Sequence, residues 1–347
     1  MTSYSKKQDI KELSKAELSL WLQNQEIAPY RSRQILSWIY LRQVDTFDQM
    51  TDLSLTLRKL LTDHFIISRL EVITTELSRD GSKKYLFGLK DGHRIESVLI
   101  PEKGHFTLCI SSQVGCALGC RFCLTGQSGF TRDLTEAEII AQVRDICNDL
   151  PDGMPLTNIV FMGMGEPLAN YRNLSRSIDI ITDSDCGLKF SNRRVTVSTA
   201  GIVPGLQKLG RNAQVNLAVS LNATDNVVRT RLMPINRTYP LEQLLEACRV
   251  YPLKPRQRIT FEYILIRGVN DSDQDAERLA VVLRSIRAKI NLIPFNEHDG
   301  CTYRRPEDST IRRFQEILQN RNYTAVIRYS KGLDISAACG QLRARST

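Results

Sequence analysis

Four of the nine cysteines lie within residues 109–123, and such crowding calls for a chemical explanation. Three of them, Cys116, Cys120 and Cys123, have the spacing C-x3-C-x2-C. Three thiolates on one short loop can bind three irons of a [4Fe–4S] cluster, and the fourth iron then remains free to bind a small molecule. The spacing therefore predicts an iron–sulfur centre.

Zinc is the main competitor for these thiolates. A structural zinc site takes four ligands, usually as two separated pairs, and His298 and Cys301 are too isolated to supply a second pair. The other alternative is that the cysteines are simply buried, as free cysteines often are. An odd number of cysteines does not indicate a disulfide framework. The cluster is the preferred interpretation, and both alternatives stay open at this point.

The charge of the chain suggests a polyanionic partner. Lysine and arginine number 47 against 38 acidic residues, a net charge of +9, and the excess is concentrated in residues 190–260 and from residue 301 to the end. Such an excess favours nucleic acid as the partner. The alternative is a solvated surface with unbalanced charge.

The composition is that of an ordinary globular protein, with 42% hydrophobic and 24% charged residues. No stretch is long and apolar enough to predict a membrane span. Residues 1–9 contain no apolar segment of the signal-peptide type, so we expect a cytoplasmic protein.

The chain divides into three predicted parts. Residues 1–70 favour a small helical domain, with a capping box at Ser14 and a plausible N-cap at Ser54. Residues 71–100 alternate in short β-like pieces, with turns at Gly81 and Gly92. Residues 101–347 then alternate between strands and helices, which predicts an α/β fold with parallel pairing.

The strands of this third part are predicted at 107–111, 158–162, 194–198, 215–220, 259–265, 290–293 and 324–329. The helices between them are predicted at 134–147, 173–182, 241–251, 273–286 and 310–319, with a capping box at Thr135. About six strand–helix units make a barrel or a partial barrel, in which the chemistry lies at the carboxyl ends of the strands. The cysteine motif directly follows the first of these strands.

A C-x3-C-x2-C motif in this position resembles the radical S-adenosylmethionine (SAM) superfamily. In that superfamily the open iron binds the amino and carboxylate groups of SAM, and reduction of the cluster cleaves SAM to a 5′-deoxyadenosyl radical. The resemblance implies a [4Fe–4S] cluster held by Cys116, Cys120 and Cys123, with SAM as the second cofactor.

Further motifs are similar to those of the RlmN/Cfr family of RNA adenine methyltransferases. They are CISSQVGC at 109–116, FMGMGEPL at 161–168, ACGQL at 338–342 and YRSRQI at 30–35. The resemblance spans nearly the whole chain. It implies a radical-SAM partial (β/α)6 barrel with a small N-terminal helical domain, which either recognises RNA or only packs against the barrel.

The family chemistry implies roles for three residues outside the cluster. One SAM methylates a cysteine that matches Cys339, the radical from a second SAM abstracts a hydrogen from that methyl group, and the resulting carbon radical adds to the base. Glu96 matches the base that removes the ring proton. Cys109 matches the thiol that releases Cys339 by forming a disulfide. Without the resemblance, the two cysteines would be interpreted as core residues and Glu96 as a solvated strand residue, and Cys147, Cys186, Cys248 and Cys301 are interpreted as structural.

The resemblance also implies SAM contacts at strand ends, where Ser, Asn and Gly are otherwise common turn residues. These positions are Gly165, Glu166, Ser198, Ser220, Leu221, Asn222 and Asn296. Asn222 departs from the pattern, because many relatives carry histidine there.

The implied substrate is adenine C2 of the peptidyl-transferase centre in 23S rRNA, with the adenine 3′ to the tRNA anticodon as a further target. This carbon is electron-poor and would not attack the electrophilic methyl group of SAM, so an ordinary polar methyl transfer would fail. A radical route avoids that obstacle. The expected electron donor is a small protein such as flavodoxin or ferredoxin, and we expect a monomer. Three alternatives stay open: Cfr-type C8 methylation, a non-methylating radical-SAM enzyme, and an RNA-binding redox sensor with an iron–sulfur cluster.

Overall fold

The computed structural model of the chain describes residues 7–150, 153–298 and 300–344. Residues 1–6, which carry part of the signal-peptide prediction, lie outside this range. No helix among the described residues is long and apolar enough to cross a membrane.

The N-terminal part is helical, as predicted. Its elements are β1 (Gln8–Asp9), α1 (Lys15–Asn24), α2 (Arg31–Tyr40), α3 (Leu55–His64) and β2 (Phe65–Ile66). The capping box at Ser14 and the N-cap at Ser54 are both present, since their side chains accept from the amides of Glu17 and Leu57. The two short strands pair in parallel and join the beginning of this part to its end.

Three antiparallel strands follow, β3 (Glu71–Leu77), β4 (Lys83–Gly88) and β5 (Arg94–Glu102). The turns between them contain Gly81 and Gly92, with φ values of 84° and 85°, which glycine adopts without a steric penalty. These strands lie at one edge of the main sheet, because β5 pairs with the first barrel strand. The division into parts 1–70, 71–100 and 101–347 remains a prediction.

The remaining elements alternate along the chain. They are β6 (His105–Cys109), β7 (Gln113–Gly115), α4 (Leu124–Gln127), β8 (Phe130–Asp133), α5 (Glu136–Cys147), β9 (Leu156–Phe161), α6 (Tyr171–Thr182), β10 (Val195–Thr199), α7 (Val203–Asn212), β11 (Asn216–Ser220), α8 (Asn226–Leu232), α9 (Leu241–Arg249), β12 (Ile259–Leu265), α10 (Asp273–Val282), β13 (Ala288–Pro294), α11 (Asp308–Asn320) and β14 (Ala325–Ile327).

The main sheet has ten strands in the order β14-β13-β12-β11-β10-β9-β6-β5-β4-β3. All pairs from β6 to β14 are parallel, and each crossover between them contains at least one helix. The expected α/β class and partial (β/α)6 barrel are therefore confirmed. The parallel strands place all their carboxyl ends at one rim of the sheet.

Three helices of the barrel part are absent from the sequence-based prediction: α4, which has only four residues, and the longer α7 and α8. Of the two longer helices, one starts with unfavourable residues and the other is short. The first begins Val-Pro-Gly, residues of low helix propensity, although proline is well tolerated in a first turn. The second has seven residues, too few for apolar periodicity to be recognised.

The buried side chain of Arg144 fastens the N-terminal helices to the barrel. Arg144 lies on α5 and is 0% exposed. Its guanidinium donates to the carbonyls of Ile39 (3.1 Å) and Val44 (2.6 Å). It also pairs with the carboxylates of Asp45 (2.6 Å) and Asp145 (3.1 Å). One side chain thus satisfies polar groups of two segments that are distant in sequence.

We expect Arg144→Met to lower the free energy of unfolding by about 3–5 kcal/mol, because it leaves buried carboxylate and carbonyl groups without their donor. Urea unfolding of the full chain, followed by circular dichroism, measures this. Arg172→Met is the control: Arg172 is exposed on α6, so its replacement should change stability by less than about 0.5 kcal/mol. If the two variants were equally stable, Arg144 would not stabilise the contact between the N-terminal helices and the barrel.

Candidate active site

A cavity lies at the carboxyl ends of the barrel strands. It brings together eight of the thirteen predicted site residues: Cys116, Cys120, Cys123, Gly165, Glu166, Ser198, Ser220 and Cys339. These residues come from five separate segments of the chain, so the placement depends on the fold rather than on local spacing alone.

The cysteine loop is held between the short strands β7 and β8, which pair with each other. The amide of Cys116 donates to the carbonyl of Gly129 at 2.7 Å, and the amide of Cys123 donates to the carbonyl of Cys120 at 3.1 Å. A side chain at Gly115, whose φ is 75°, would collide with the Gly129 carbonyl. Glycine is therefore needed where the strand enters the loop.

The three thiols of this loop line the cavity and interact electrostatically with one another. Burial raises the pKa of Cys116 to about 12 and raises the pKa of Cys120 well above its usual range. Without a bound cation these groups therefore stay neutral, and metal binding would release their protons.

No three His, Cys, Asp or Glu side chains within residues 7–150, 153–298 and 300–344 are arranged around one metal ion. A [4Fe–4S] cluster binds each thiolate through a different iron, so its ligands stand further apart than around a single ion. Three separated thiols on one cavity wall fit a cluster with one open iron better than they fit tetrahedral zinc.

Glu166 is fixed in the cavity wall by backbone amides. Its carboxylate accepts from the amides of Leu168 (3.1 Å) and Ala200 (2.8 Å), and its own amide donates to the side chain of Gln113 (2.8 Å). Burial raises the pKa of Glu166. A carboxylate can accept about four hydrogen bonds, so the group keeps capacity for an ammonium ligand. Gly165, with φ of 96°, allows the backbone to pass against Gln113.

Cys339 lies on a C-terminal loop that is tied to the cysteine loop. The amide of Leu124 donates to the Gly340 carbonyl (2.8 Å), and the Thr125 hydroxyl donates to the Leu342 carbonyl (2.6 Å). The side-chain amide of Asn296 donates to the Cys339 carbonyl (3.2 Å). Cys339 is exposed to the cavity, yet the surrounding protein raises the pKa of its thiol to about 11.

Cys109 and Glu96 lie beside this loop rather than in the cavity lining. The thiol of Cys109 is buried, burial raises its pKa, and it interacts electrostatically with Cys339. Glu96 accepts from the amide of Arg343 at 2.7 Å, on the same C-terminal loop, and lies 3.6 Å from the Lys84 ammonium. Burial raises the pKa of Glu96.

Two other predicted SAM contacts, Asn222 and Leu221, form hydrogen bonds within the barrel itself. Asn222, with φ of 58°, accepts from the amide of Ile264 at 2.8 Å and is fully buried. The amide of Leu221 donates to the Glu262 carbonyl at 3.0 Å. Neither side chain contributes to the cavity lining in the described part of the chain.

Glu262 lines the cavity and was not predicted from the sequence. It lies on β12, in register with Ser220 on one side and Asn291 on the other, and Asn291 donates to it at 2.9 Å. The available signal is a single acidic residue inside the apolar strand ITFEYIL. Such a residue in a buried strand suggests a polar interior.

Comparisons with known proteins agree with this geometry. Residues 110–280 match the model of the radical SAM superfamily, and residues 8–67 match the N-terminal domain model of ribosomal RNA large subunit methyltransferases. A protein of Desulfosudis oleivorans named dual-specificity RNA methyltransferase RlmN is 58% identical over 99% of this chain and 93% of its own length. A Geobacter sulfurreducens protein of the same name is 54% identical over 97% of this chain and 92% of its own length.

A solved structure shows the same fold. The crystal structure of a radical SAM methyltransferase from Sphaerobacter thermophilus has a TM-score of 0.92 and 44% sequence identity, and the match covers 97% of this chain and all of that one. The similarity therefore includes the N-terminal helices as well as the barrel.

The carboxyl group of Glu262 predicts a pH-dependent cost in stability. Burial raises its pKa from 4.5 to about 6, because the charged form is disfavoured inside the protein. The free energy of unfolding is therefore not lowered by this group below pH 4.5, and it falls as the pH rises through 6 and the carboxyl ionises. We expect Glu262→Gln to be more stable than wild type by about 2 kcal/mol at neutral pH, and equally stable near pH 4. Urea unfolding at the two pH values tests this. Glu316→Gln, at an exposed position on α11, should show no such difference, and a destabilised Glu262→Gln at neutral pH would contradict the argument.

Proposed function

Since this chain belongs to the RlmN family of radical SAM RNA methyltransferases, we propose that it methylates C2 of an adenine in 23S rRNA and also methylates adenine in tRNA. The observation that carries the proposal is the placement of Cys339 in the same cavity as the three cluster cysteines. Methyl transfer through sulfur requires a thiol at this place, because the methyl carrier and the source of the radical must lie together.

When bound, the [4Fe–4S] cluster and two molecules of SAM per turnover supply the methyl group and a carbon-centred radical. Cys116, Cys120 and Cys123 would hold the cluster. Gly165 and Glu166 would bind the amino-acid end of SAM, with the strand ends at Ser198 and Ser220 beside it. Asn296 would act through the loop, because it binds the Cys339 carbonyl.

Cys339 would carry the methyl group, whose carbon becomes bonded to the RNA base while still attached to the sulfur. A second thiolate would then attack the Cys339 sulfur and break its bond to that carbon, which gains a proton and remains on the base as the methyl group. Cys109 supplies that thiol in the proposal, which its electrostatic interaction with Cys339 supports. The two sulfurs then form a disulfide, and two electrons from an external dithiol, which itself becomes a disulfide, restore the reduced pair.

Glu96 would remove the ring proton of the adduct. Desolvation raises its pKa towards neutrality, which strengthens the carboxylate as a base. The hydrogen bond from the Arg343 amide attaches Glu96 to the loop that carries Cys339. Base and thiol are thereby held on one structural unit.

The target adenine must leave its stack to reach such a cavity. Exposed Arg121 lies in the cysteine loop, and its amide donates to the carbonyl of Leu232 at 3.0 Å, next to exposed Arg231. We propose that these arginines bind the RNA backbone at the cavity mouth. A small one-electron donor such as flavodoxin or ferredoxin, a cytoplasmic location and a monomeric state complete the proposal.

The cysteine roles predict separable defects in anaerobic turnover with 23S rRNA fragments or tRNA. Cys339→Ala should keep its iron and lose methylation to background. Cys109→Ala should accumulate protein covalently linked to RNA, because the adduct lacks its displacing thiol. Nucleoside mass spectrometry and denaturing gels with and without ribonuclease measure both effects.

The control for these variants is Cys147→Ala, at a half-buried cysteine on α5 outside the cavity, which should retain full turnover. Full methylation by Cys339→Ala would sink the proposal. If 8-methyladenine were the main product, the proposed position on the base would be wrong.

The RNA contacts can be tested by paired charge removal. The double variant Arg121→Ala, Arg231→Ala should weaken RNA binding by about tenfold. The slope of the logarithm of affinity against the logarithm of salt concentration should become shallower by about one to two. The matched control removes Arg256 and Arg284, which are exposed at the amino end of the barrel, and should leave affinity nearly unchanged. Fluorescence anisotropy at several salt concentrations decides, and the reverse pattern would place the RNA at the other end of the barrel.

A further inference from the structure

Arg229 is a buried cation that has no carboxylate partner in the part of the chain that the structure describes. It lies on α8 and is 0% exposed. Its guanidinium donates to the carbonyls of Leu221 (3.2 Å) and Ala200 (2.8 Å) and to the side-chain oxygen of Asn236 (2.9 Å). All these acceptors are neutral, and no ion pair joins Arg229 to an acidic side chain among the described residues.

A buried charge is costly unless an opposite charge compensates it. Arg144, the other fully buried arginine of the described chain, is paired with two aspartates. For Arg229, the carbonyl groups satisfy the N–H donors but leave the net charge uncompensated. Glu166 forms no direct ion pair with Arg229: its carboxylate accepts from the amide of Ala200, whereas Arg229 donates to the carbonyl of the same residue.

A compensating negative charge can instead arise at the cluster site. Cys120 packs in one apolar cluster with Leu232, Met233 and Ala200, the residues that follow or contact Arg229. The guanidinium interacts electrostatically with Cys120 and also with the buried thiol of Cys248, which lies outside the cluster motif. A thiolate-bound cluster is anionic, so it supplies the missing counter-charge.

We propose that Arg229 is the counter-ion of the iron–sulfur cluster and that its charge favours one-electron reduction of that cluster. Reduction adds one electron, supplied by an external donor, and makes the cluster more negative. A cation held nearby with no solvent contact stabilises the more negative state, because little water screens the attraction. The inference rests on the proposed function only for the presence of the cluster, and it makes Arg229 a positioning residue rather than a catalytic one.

The test is a potentiometric titration of the reconstituted full chain, with the reduced cluster followed by electron paramagnetic resonance. Arg229→Gln should shift the midpoint potential to a more negative value. At the wild-type midpoint, the ratio of reduced to oxidised cluster should fall about tenfold, which corresponds to about 59 mV for a one-electron couple. Arg237→Gln is the matched control, because Arg237 is exposed one residue beyond Asn236 and water screens its charge.

A second variant neutralises the cation without deleting it. Asn236→Asp places a carboxylate where the amide oxygen lies 2.9 Å from the guanidinium, so it should shift the potential in the same direction. An unchanged potential in either variant that retains its cluster overturns the proposal.

If neither variant retains a cluster, Arg229→Lys decides. This variant keeps the positive charge but forms fewer hydrogen bonds. Near-normal cluster content and midpoint potential would support the proposal. Loss of the cluster in this variant too would show that the role of Arg229 is purely structural and would overturn the proposal. Wild-type protein without any [4Fe–4S] cluster would instead refute the proposed function, and the two failures are thus distinguishable.

Discussion

The candidate site depends on two hydrogen bonds between loops that are more than 200 residues apart, Leu124 to Gly340 and Thr125 to Leu342. They bring Cys339 to the cysteine loop. The four-residue helix α4 that supplies both donors is too short to be stable alone, so it needs the C-terminal loop as much as that loop needs it. Order in one loop is therefore coupled to order in the other, and the reactive thiol is positioned only when both are formed.

The barrel interior also contains groups that folding alone would not favour. Glu166 and Glu262 are buried carboxylates whose hydrogen-bond donors are neutral, and Arg229 is a buried guanidinium whose acceptors are neutral. Apolar residues of similar volume usually give equal or greater stability at such positions. Their common location around one cavity is best explained by ligands that complete their hydrogen bonds and compensate their charges. Local departures from stability rules thus mark the functional region.

Local signals in the sequence were sufficient for much of the fold. The side chains of Ser14 and Thr135 cap their helices as predicted, and the alternation of strands and helices implied parallel pairing. Site residues inside the strands were harder to predict, because only the register of three strands places Glu262 beside Ser220 and Asn291. That register depends on tertiary packing, so no local pattern contains it. The proximity of Cys109 to Cys339 likewise came from family resemblance and not from spacing.

The positions of the basic residues show that charge composition alone predicts an interface poorly. The basic excess of residues 190–260 suggested an RNA-binding surface, yet the fold distributes it over three environments. Arg229 is buried beneath the cluster site, Arg231 is exposed beside it, and Arg194 and Arg258 immediately precede β10 and β12 at the opposite end of the barrel. Because parallel strands separate these ends by their full length, one RNA contact at the cavity cannot use all the basic residues. The net charge therefore overstates the size of the interface, and position on the barrel decides which arginines can serve it.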